Sequence, residues 1–407
     1  MNFPYYIARR YLFSKKKKNI INVISLISMV VVATVTAAMI VVLSAFNGIE
    51  VLVEEMFSTF DAEITVMPAS GKTIHNDSLD TSIFDNNPKI AAWTAVIEED
   101  VMLKYRDKVT VATLKAVDES YHQVSQIDSA VIAGDFLMKD DEFNYALVGV
   151  GIRSELRLPL RTGDKPMITV FAPVGGRNLK TYRENAFNKK PIMVSGAYSV
   201  NAELDVKYII VPLEFGKKTF NYENEVSAFE MKLQGVEDLK VFKKELQQQL
   251  GDNLKVITRY DKNALIYKTN ASEKWATFLI LLFILVIAAF NILASLTMLV
   301  IEKKKDIFIL QSMGTQKKTI RRIFFLEGVL INLVGALAGL IIGVAICLAQ
   351  QHIGILRLQG SIVEFYPMRV AFLDVLGIFG TVLLIGSASS FLLVHFLVSR
   401  YGTQEAN

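Results

Sequence analysis

The sequence predicts a multi-pass α-helical membrane protein with four transmembrane helices and a large mixed α/β domain inserted between helices one and two. Hydrophobic residues make up 52% of its 407 positions, more than a soluble domain usually contains. Four windows contain no Asp, Glu, Lys or Arg, and each exceeds the roughly 20 residues that cross a bilayer. We therefore place transmembrane helices at residues 19–49, 275–301, 328–351 and 375–399.

The distribution of basic residues predicts the orientation of these helices. Many Lys and Arg residues precede helix one and lie between helices two and three, whereas the loop between helices three and four is nearly balanced in charge. By the positive-inside rule, segments 1–18, 302–327 and 400–407 lie in the cytoplasm, and segments 50–274 and 352–374 lie on the opposite side. The net charge of +4 reflects this asymmetry and does not indicate nucleic-acid binding.

The N-terminal segment resembles a signal peptide only in its basic residues. The uncharged run that follows is too long for one, and no small-residue cleavage pattern closes it, so we predict an uncleaved first helix. Segment 1–18 itself predicts an amphipathic helix at the membrane interface beside helix one. Arg9, Arg10 and Tyr11 would anchor it among lipid headgroups.

The segment between helices one and two combines strand and helix patterns. Seven runs alternate apolar and polar residues and are bounded by turn residues: AEITVMP, DKVTVATLKAVD, KPMITVFAP, KPIMVSGAYSV, KYIIVPL, SAFEMKLQG and NLKVITRY. A helix is predicted at 236–250, ended by Gly251, and another at 82–95, interrupted at Pro88. The single cysteine, Cys347, lies in helix three, so the domain must rely on its own core.

No enzyme site is visible in the sequence. The four histidines and one cysteine have no metal-ligand spacing, so no metal is predicted. The SGKT stretch at 70–73 lacks the first glycine of a phosphate-binding loop, and no nucleophile elbow occurs. No Asp or Glu lies deep in any predicted span, which disfavours an ion-coupled transporter. We expect a chain that is not an enzyme and has no cofactor of its own.

The cytoplasmic segment 302–327 is basic but has an apolar centre. Ile307, Leu310 and Gln311 recur at helical spacing, Gly314 favours a helix stop, and Thr315 is a candidate N-cap for the next helix. A short amphipathic helix is stable only if its apolar side is covered. The lipid headgroup region would cover it, and so would a cytoplasmic protein that moves it.

Small and polar residues in the spans predict helix packing. Gly335, Gly339 and Gly343 lie four residues apart on one face of helix three, which predicts close packing of another helix, within the subunit or across a dimer. Asn291 and Asn332 are predicted to join helices by hydrogen bonds.

One long stretch between two predicted strands, 172–190, has no regular pattern and is strongly basic. Long irregular loops inside compact domains are usually functional or disordered. A solvated hairpin tip and a binding loop both remain open on spacing alone.

The chain resembles the permease subunits of lipoprotein-releasing (Lol) ABC transporters, of the LolC/LolE type, within the MacB/FtsX-like permease superfamily. The resemblance lies in ISLISMVVVATVTAAMIVVLSAFNGIE, in LVGVGIRSELRLPLRTGDKPMITVFAP and KPIMVSGAYSVNAELDVKYIIVPL, and in the stretch from ASEKWATFLIL to LAGLIIG. It covers nearly the whole chain. The KKKDIFILQSMG element alone is shared with the wider superfamily, whereas the end of helix one and the soluble core are more specific to Lol permeases.

The resemblance implies a dimer of permease subunits, identical or paralogous, with two copies of a separate cytoplasmic ATPase that binds ATP and Mg²⁺. Such a permease lies in the inner membrane with a MacB-like periplasmic core domain. It extracts triacylated lipoproteins from the outer leaflet and passes them to a periplasmic chaperone. ATP binding moves a coupling helix, and the motion reaches the periplasm through helices one and two.

The resemblance also implies site residues. The ATPase-coupling set is Glu302, Asp306, Ile307, Leu310, Gln311, Met313 and Gly314, with Ile307, Leu310 and Met313 as its buried apolar residues. The chaperone-binding loop falls at Pro173, Gly175, Gly176, Arg177, Lys180 and Arg183. The lipid cleft between helices one and two is assigned to Val42, Phe46, Phe283 and Phe290.

Two rival functions belong to the same superfamily. An FtsX-like signalling permease would control a cell-wall hydrolase without moving substrate, and its outer domain is usually smaller. A MacB-like exporter permease would work with a periplasmic adaptor and often has its ATPase fused. Copurified triacylated lipoprotein, a hydrolase or a hexameric adaptor would discriminate among the three.

Overall fold

The computed structural model describes residues 3–12, 20–75, 79–161, 163–173, 187–236, 238–357 and 365–401. The chain divides into two compact units. The membrane unit comprises Met1–Leu52 and Lys268–Asn407, and the domain unit comprises Val53–Tyr267.

Thirteen α-helices occur in the described residues. They are α1 (Phe3–Leu12), α2 (Ile20–Phe60), α3 (Ser82–Asp85), α4 (Tyr121–Val124), α5 (Val150–Leu156), α6 (Ala202–Lys207), α7 (Leu213–Phe220), α8 (Leu239–Leu250), α9 (Arg259–Lys262), α10 (Ala264–Glu302), α11 (Lys304–Ser312), α12 (Lys317–Ile353) and α13 (Phe372–Tyr401).

Twelve β-strands occur in the same residues. They are β1 (Ile64–Pro68), β2 (Ile74–His75), β3 (Ile90–Tyr105), β4 (Lys108–Val117), β5 (Val131–Gly134), β6 (Tyr145–Gly149), β7 (Met167–Pro173), β8 (Phe187–Tyr198), β9 (Tyr208–Pro212), β10 (Glu225–Val226), β11 (Ala228–Leu233) and β12 (Leu254–Thr258).

The predicted number of membrane helices is confirmed for the part of the chain that the structure describes. Four of its helices, α2, α10, α12 and α13, are long and apolar enough to cross a membrane. Three of them extend well beyond the uncharged windows, because helix-forming residues continue past the apolar segment. Thus α2 runs on to Phe60, α10 begins at Ala264, and α12 begins at Lys317. The N-terminal helix α1 packs against α12.

The domain unit is built on one ten-stranded sheet with the order β12-β1-β11-β3-β4-β9-β6-β8-β5. Strand β7 pairs with both β3 and β8, so the six strands β3, β4, β9, β6, β8 and β7 close into a ring. The largest core cluster joins apolar side chains of all six ring strands, among them Leu103, Leu114, Val148, Val170 and Ile209, to residues of α5 and α7. Closure leaves fewer unpaired strand edges.

All seven predicted strands are confirmed, as is the helix at 236–250, where α8 is followed by Gly251 at φ 75°. The helix predicted at 82–95 was wrong. Only α3 is helical there, and residues from Ile90 belong to β3, the longest strand. The acidic run Glu98–Asp100 interrupts the alternation of apolar and polar residues that would have indicated a strand. The extended conformation of β3 is fixed by its pairing with β11, β4 and β7.

Candidate functional site

The short helix α11 lies between the second and third membrane helices. After its C-cap residue Met313, Gly314 adopts φ 87°, a conformation that a residue with a side chain rarely takes. The backbone N–H of Thr315 donates to the carbonyl of Leu310 at 3.0 Å and closes the end of the helix. Thr315 is not the next N-cap. That position is Gln316, after which α12 begins with two lysines.

The apolar residues of α11 divide between two faces. Ile307 packs against a buried cluster of the membrane unit that includes Leu299, Ile320 and Phe324. Phe308 and Ile309 are more than half exposed. The sequence predicted Ile307, Leu310 and Met313 as the apolar residues buried against the ATPase. In the structure, Ile307 instead packs against its own subunit.

The remaining coupling residues lie around this exposed surface. Met313 is 77% exposed and extends it beyond the end of α11. Glu302 is the last residue of α10 and is exposed, and Leu310 and Gln311 are half-buried. Asp306 forms an ion pair with Lys303 at 3.1 Å. The sequence analysis did not include Phe308 and Ile309 in the coupling set, although both are exposed. Lys305 lies three and four residues before them, on the same side of the helix, and this spacing could have indicated their exposure.

The glycine stripe of α12 lies against α2 of the same subunit, which settles the alternative left open by the sequence. A Cβ atom at Gly339 would lie 2.4 Å from the carbonyl oxygen of Ala33, and one at Gly335 would lie 2.8 Å from that of Met29. Gly343 faces Ala37 and Ile40 in the same way. The two backbones approach so closely that any side chain on the stripe would separate the helices.

Three polar residues connect three membrane helices near the part of α2 that leads into the domain unit. Asn47 of α2 donates from Nδ2 to Oδ2 of Asp374 on α13 at 2.7 Å. The Nζ atom of Lys274 on α10 donates to Oδ1 of Asn47 at 2.6 Å and lies 3.8 Å from Asp374. Because Asn47 is only 7% exposed, these bonds are largely shielded from water. We call this triad the outer clamp.

The residues beside Asn47 complete the contact. A Cβ atom at Gly48 would lie 2.3 Å from the carbonyl oxygen of Pro367, so only glycine allows this approach. The backbone N–H of Arg369 donates to the carbonyl of Ser44 at 2.9 Å. In the SAFNGIE stretch at the end of the predicted first span, the Asn47 side chain and the absence of a side chain at Gly48 therefore make this contact possible.

The four predicted cleft residues do not share one site in this conformation. Val42 lines an open apolar groove of about 700 Å³ between α2 and α12. Phe46 is half-buried in α2. Phe283 and Phe290 are 66% and 62% exposed on α10, and neither is among the residues that line the groove.

Polar residues inside the membrane unit behave differently from one another. The Nδ2 atom of Asn332 donates to the carbonyl of Val382 at 3.0 Å and joins α12 to α13 as predicted. Asn291 contributes its backbone carbonyl, which accepts from Ser28 of α2 at 3.2 Å. Glu327 lies one residue before the predicted third span. It is fully buried in α12, and neither carboxylate oxygen has a hydrogen-bond partner among the described residues.

The predicted chaperone-binding loop lies between two long paired strands, β7 and β8. Strands β7 and β8 pair antiparallel up to the register Pro173↔Phe187. Pro173 is the last residue of β7, and the loop beyond it lies outside the described residues, together with the predicted residues Gly175, Gly176, Arg177, Lys180 and Arg183. Within residues 3–173 and 187–401, where described, no group of three His, Cys, Asp or Glu residues could hold a metal ion.

Comparison with known proteins places these features in a family. Residues 25–249 match the model of the MacB-like periplasmic core domain, and residues 278–401 match that of the FtsX-like permease C-terminal region. The periplasmic region of MacB from Actinobacillus actinomycetemcomitans covers 52% of this chain and 94% of its own at 12% identity. Its TM-score of 0.36 is too low to add to the assignment.

Curated relatives match over most of their length. The lipoprotein-releasing system transmembrane protein LolE of Haemophilus influenzae is 25% identical over 391 residues, which is 92% of this chain and 92% of the relative. LolC of Xylella fastidiosa is 25% identical over 346 residues, or 84% and 80% of the two chains. Because the core-domain match alone spans more than half of the sequence, the chain belongs to the family of proteins with a MacB-like periplasmic core domain, here joined to an FtsX-like permease C-terminal region.

Proposed function

We propose that this chain is a permease subunit of an inner-membrane ABC transporter that extracts triacylated lipoproteins from the outer leaflet and passes them to a periplasmic chaperone. ATP would be hydrolysed by two copies of a separate ATPase subunit, which hold the ATP and Mg²⁺. A second permease subunit, identical or paralogous, would complete the transporter. Both chain termini and α11 would lie in the cytoplasm.

The full-length likeness to lipoprotein-releasing proteins is the observation that carries this proposal. The relative named LolE aligns with 92% of this chain, so the likeness includes the membrane helices and the periplasmic core domain together. A match confined to one of these parts would fit the rival permease functions equally well.

The physics of the cargo supports an energy-driven extraction. Each buried CH₂ group stabilises a lipid anchor in the membrane by about 0.8 kcal/mol, so three long acyl chains do not leave a bilayer on a useful timescale. The permease needs an apolar path and a mechanical input and has no need of catalytic residues. The groove lined by Val42 and the exposed phenylalanines of α10 offer apolar surface at the membrane helices.

The exposed surface of α11 supports coupling to a separate ATPase. Phe308, Ile309 and Met313 are exposed apolar residues in a basic segment, and the fully buried core of a protein interface is more apolar than its rim. Ile307, on the other face, packs against the membrane unit. A push on the exposed face of α11 would therefore be delivered to the helices that Ile307 contacts.

A test of the coupling surface compares Ile309→Asp on α11 with Val241→Asp on α8. Both residues are more than half exposed and helical, so both changes bury a new charge only if a partner covers the site. Ile309→Asp should abolish copurification of the ATPase, and Val241→Asp should leave it intact. Equal ATPase recovery with both variants would contradict the assigned surface.

The cargo is tested by purification from native membranes and mass spectrometry of the bound proteins and lipids. We expect a small ATPase together with triacylated lipoproteins, and we expect the lipoproteins to be released when ATP and a periplasmic chaperone are added. An ATPase recovered with a cell-wall hydrolase or a hexameric adaptor, and without lipoprotein, would instead favour the FtsX-like or MacB-like function.

A further inference from the structure

The end of α2 is anchored in the core of the domain unit. Its last residue, Phe60, is fully buried, and its ring lies 4.7 Å from that of Tyr208 and 6.2 Å from that of Tyr198. The hydroxyl of Tyr121 donates to the Phe60 carbonyl at 3.1 Å. Burial raises the pKa of Tyr121 to about 12, so this hydroxyl stays protonated as the donor.

A chain of five charged side chains begins at the next residue. Asp61 pairs with Lys262 at 2.8 Å, and Lys262 lies 3.7 Å from Glu98 of β3. Glu98 lies 3.4 Å from Lys115 of β4, which in turn pairs with Glu230 of β11 at 2.8 Å. We call these five residues the charge chain. It connects the end of α2 to three adjacent strands of the sheet.

The charge chain is shielded from water at both of its ends, and its middle is partly exposed. The side chains of Lys115, Glu230 and Asp61 are at most 3% exposed, and those of Lys262 and Glu98 are about one quarter exposed. Lys115 also lies 4.7 Å from the centre of the Phe60 ring, which adds a cation–π contact to the last residue of α2.

Each cation has carboxylates on two sides, which favours the charged forms of Lys115 and Asp61, whereas burial outweighs the attraction of Lys115 at Glu230 and raises the pKa of that carboxyl. Burial lowers the pKa of Lys115, but Glu230, Glu98 and Asp61 outweigh this effect and hold the pKa well above its usual value. Burial raises the pKa of Asp61, and the attraction of Lys262 and Lys115 reverses this shift and lowers it.

The same charge chain reaches the start of α10. Lys262 is the last residue of α9, and α10 begins two residues later at Ala264. Between them, Asn263 donates from Nδ2 to Oδ2 of Asp61 at 2.9 Å. Tyr260 of α9 donates its hydroxyl to Glu54 of α2 at 2.7 Å. The domain ends of α2 and α10, two of the four membrane-spanning helices, are thus attached to the sheet through Asp61 and Lys262.

Stability alone does not explain such a chain. Removing charges from water is costly, and apolar replacements of a buried ion pair are often as stable as the pair itself. The best-attested use of buried ion pairs is to fix one geometry among several. Here the fixed geometry is the position of two helix ends relative to each other and to the sheet.

We infer that the charge chain locks the domain ends of α2 and α10 to the sheet as one rigid joint, and that Lys262 is a positioning residue for the transport stroke. The inference rests on the proposed function in one respect: motion that enters through the membrane helices must reach the periplasmic domain without loss. A loose joint would let the helix ends shift while the sheet stayed in place.

The test uses the whole transporter and three lysine variants. Lys262→Met removes the cation between Asp61 and Glu98, and Lys262→Arg keeps a cation there as a rescue variant. Lys243→Met is the matched control, because Lys243 also pairs with an aspartate, Asp261 at 2.9 Å, but does so at the surface. Each preparation is used only if its thermal midpoint lies well above the assay temperature, so that folded proteins are compared. If Lys262→Met does not fold, Asn263→Ala replaces it, since that change removes one bond to Asp61 and no charge.

The first readout does not depend on any cargo. Spin labels at Glu55→Cys on α2 and Leu265→Cys on α10, in a Cys347→Ala background, report the separation of the two helix ends. Both labelled residues are exposed. We expect one narrow distance distribution, the same with and without trapped nucleotide, and a broad one in Lys262→Met that Lys262→Arg restores. A narrow distribution in Lys262→Met would overturn the inference, whatever the transporter moves.

The second readout is the amount of lipoprotein released per ATP hydrolysed. We expect Lys262→Met to keep its ATPase activity while release per ATP falls about tenfold, within the usual range of coupling between sites. Lys243→Met should release normally. Release and hydrolysis that fall together would indicate a general defect of assembly and would also overturn the inference. If even the unaltered protein releases no lipoprotein, the proposed function fails. The distances between the spin labels then still test whether the joint is rigid.

Discussion

Glu230 and Glu327 are both fully buried glutamates, yet they lie in units that are held together by different forces. Glu230, in the periplasmic core domain, pairs with Lys115 at 2.8 Å and belongs to the charge chain. Glu327, in the membrane unit, has no hydrogen-bond partner for either oxygen among the described residues. Around Glu327 the helices are joined by close backbone contact, as at Gly339 against Ala33.

The difference indicates how each unit can move. Ion pairs with several partners have a narrow range of acceptable geometries, so the domain keeps its helix ends and strands in one arrangement. Helices that meet through glycines and apolar side chains are held mainly by van der Waals packing. We therefore expect the domain to respond to substitution by losing stability as a whole, and the membrane unit to respond at individual helix contacts.

The largest effect is expected from Lys115→Met. This change leaves Glu230 buried without its cation, and breaking one side of a buried ion pair costs about 3 to 5 kcal/mol of unfolding free energy. Trp93 lies in the domain and Trp275 in the membrane unit, so Trp93 fluorescence in a Trp275→Phe background reports denaturant unfolding of the domain alone. Lys115→Met combined with Glu230→Leu should recover most of the loss. A double variant as unstable as the sum of both single changes would contradict the pairing.

A smaller effect is expected from Gly339→Ala in the membrane unit. The new Cβ atom would lie 2.4 Å from the Ala33 carbonyl oxygen, so α2 and α12 must separate, at a cost of about 1 to 3 kcal/mol. Gly380→Ala on α13 is the control, because a Cβ atom there meets nothing within 4 Å. Thermal denaturation in detergent should show a lower midpoint for Gly339→Ala only. Equal midpoints would mean that the stripe is not closely packed.

The outer clamp should respond less than the stripe. Asn47→Ala leaves Lys274 and Asp374 without the amide that joins them, and a lost hydrogen bond to a charged group costs about 1.5 to 3 kcal/mol when buried and less when partly exposed. Asn291→Ala serves as control, because that side chain is exposed. Hydrogen exchange at the backbone N–H of Arg369 should accelerate in Asn47→Ala alone. Unchanged protection would show that the clamp does not hold the loop.

Acid should weaken the domain through Asp61. The pKa of Asp61 is lowered in the folded protein, so its contribution is complete above the unfolded value of about 3.9 and is lost as pH falls through the lower folded value. The thermal midpoint should therefore stay level from neutral pH down to about 5 and fall below about 4. In Asp61→Asn that fall should be shallower from a lower starting point. An equally steep fall in both proteins would assign the acid sensitivity to other carboxylates.

The smallest effect, and one of opposite sign, is expected from Glu327→Leu. Removing a buried carboxyl group that has no hydrogen-bond partner among the described residues removes a desolvation cost and only the longer-range attraction of Lys303, so stability should stay level or rise. The detergent denaturation used for Gly339→Ala measures this too. A loss of more than about 1 kcal/mol would contradict this prediction and show that the Glu327 carboxyl group stabilises the fold.

The regular parts of the fold follow from local sequence patterns. Four uncharged windows and seven alternating runs identified the membrane helices and most strands, because hydrophobic periodicity depends on neighbouring residues. β3 was missed because acidic residues at its centre interrupt the apolar pattern. The residues that accommodate them, on β4 and at Lys262, are distant in sequence. The break at Gly314 was also predictable, because a positive φ favours glycine.

The clamp and the charge chain depend on contacts that no local pattern contains. Asn47 and Asp374 are 327 residues apart in sequence, and Asn47 and Lys274 are 227 apart. Similarly, which apolar residues of α11 face outward depends on how α11 packs. Ile307 is as apolar as Ile309, and only the buried cluster beside it distinguishes the two.

The most direct test of the account is lipoprotein release from proteoliposomes that contain the purified transporter. Triacylated lipoprotein, ATP and the periplasmic chaperone are supplied, and the water-soluble fraction is assayed for chaperone-bound lipoprotein. The account predicts release with ATP and none with a non-hydrolysable analogue. ATP hydrolysis at a normal rate with all lipoprotein retained in the vesicles would contradict it.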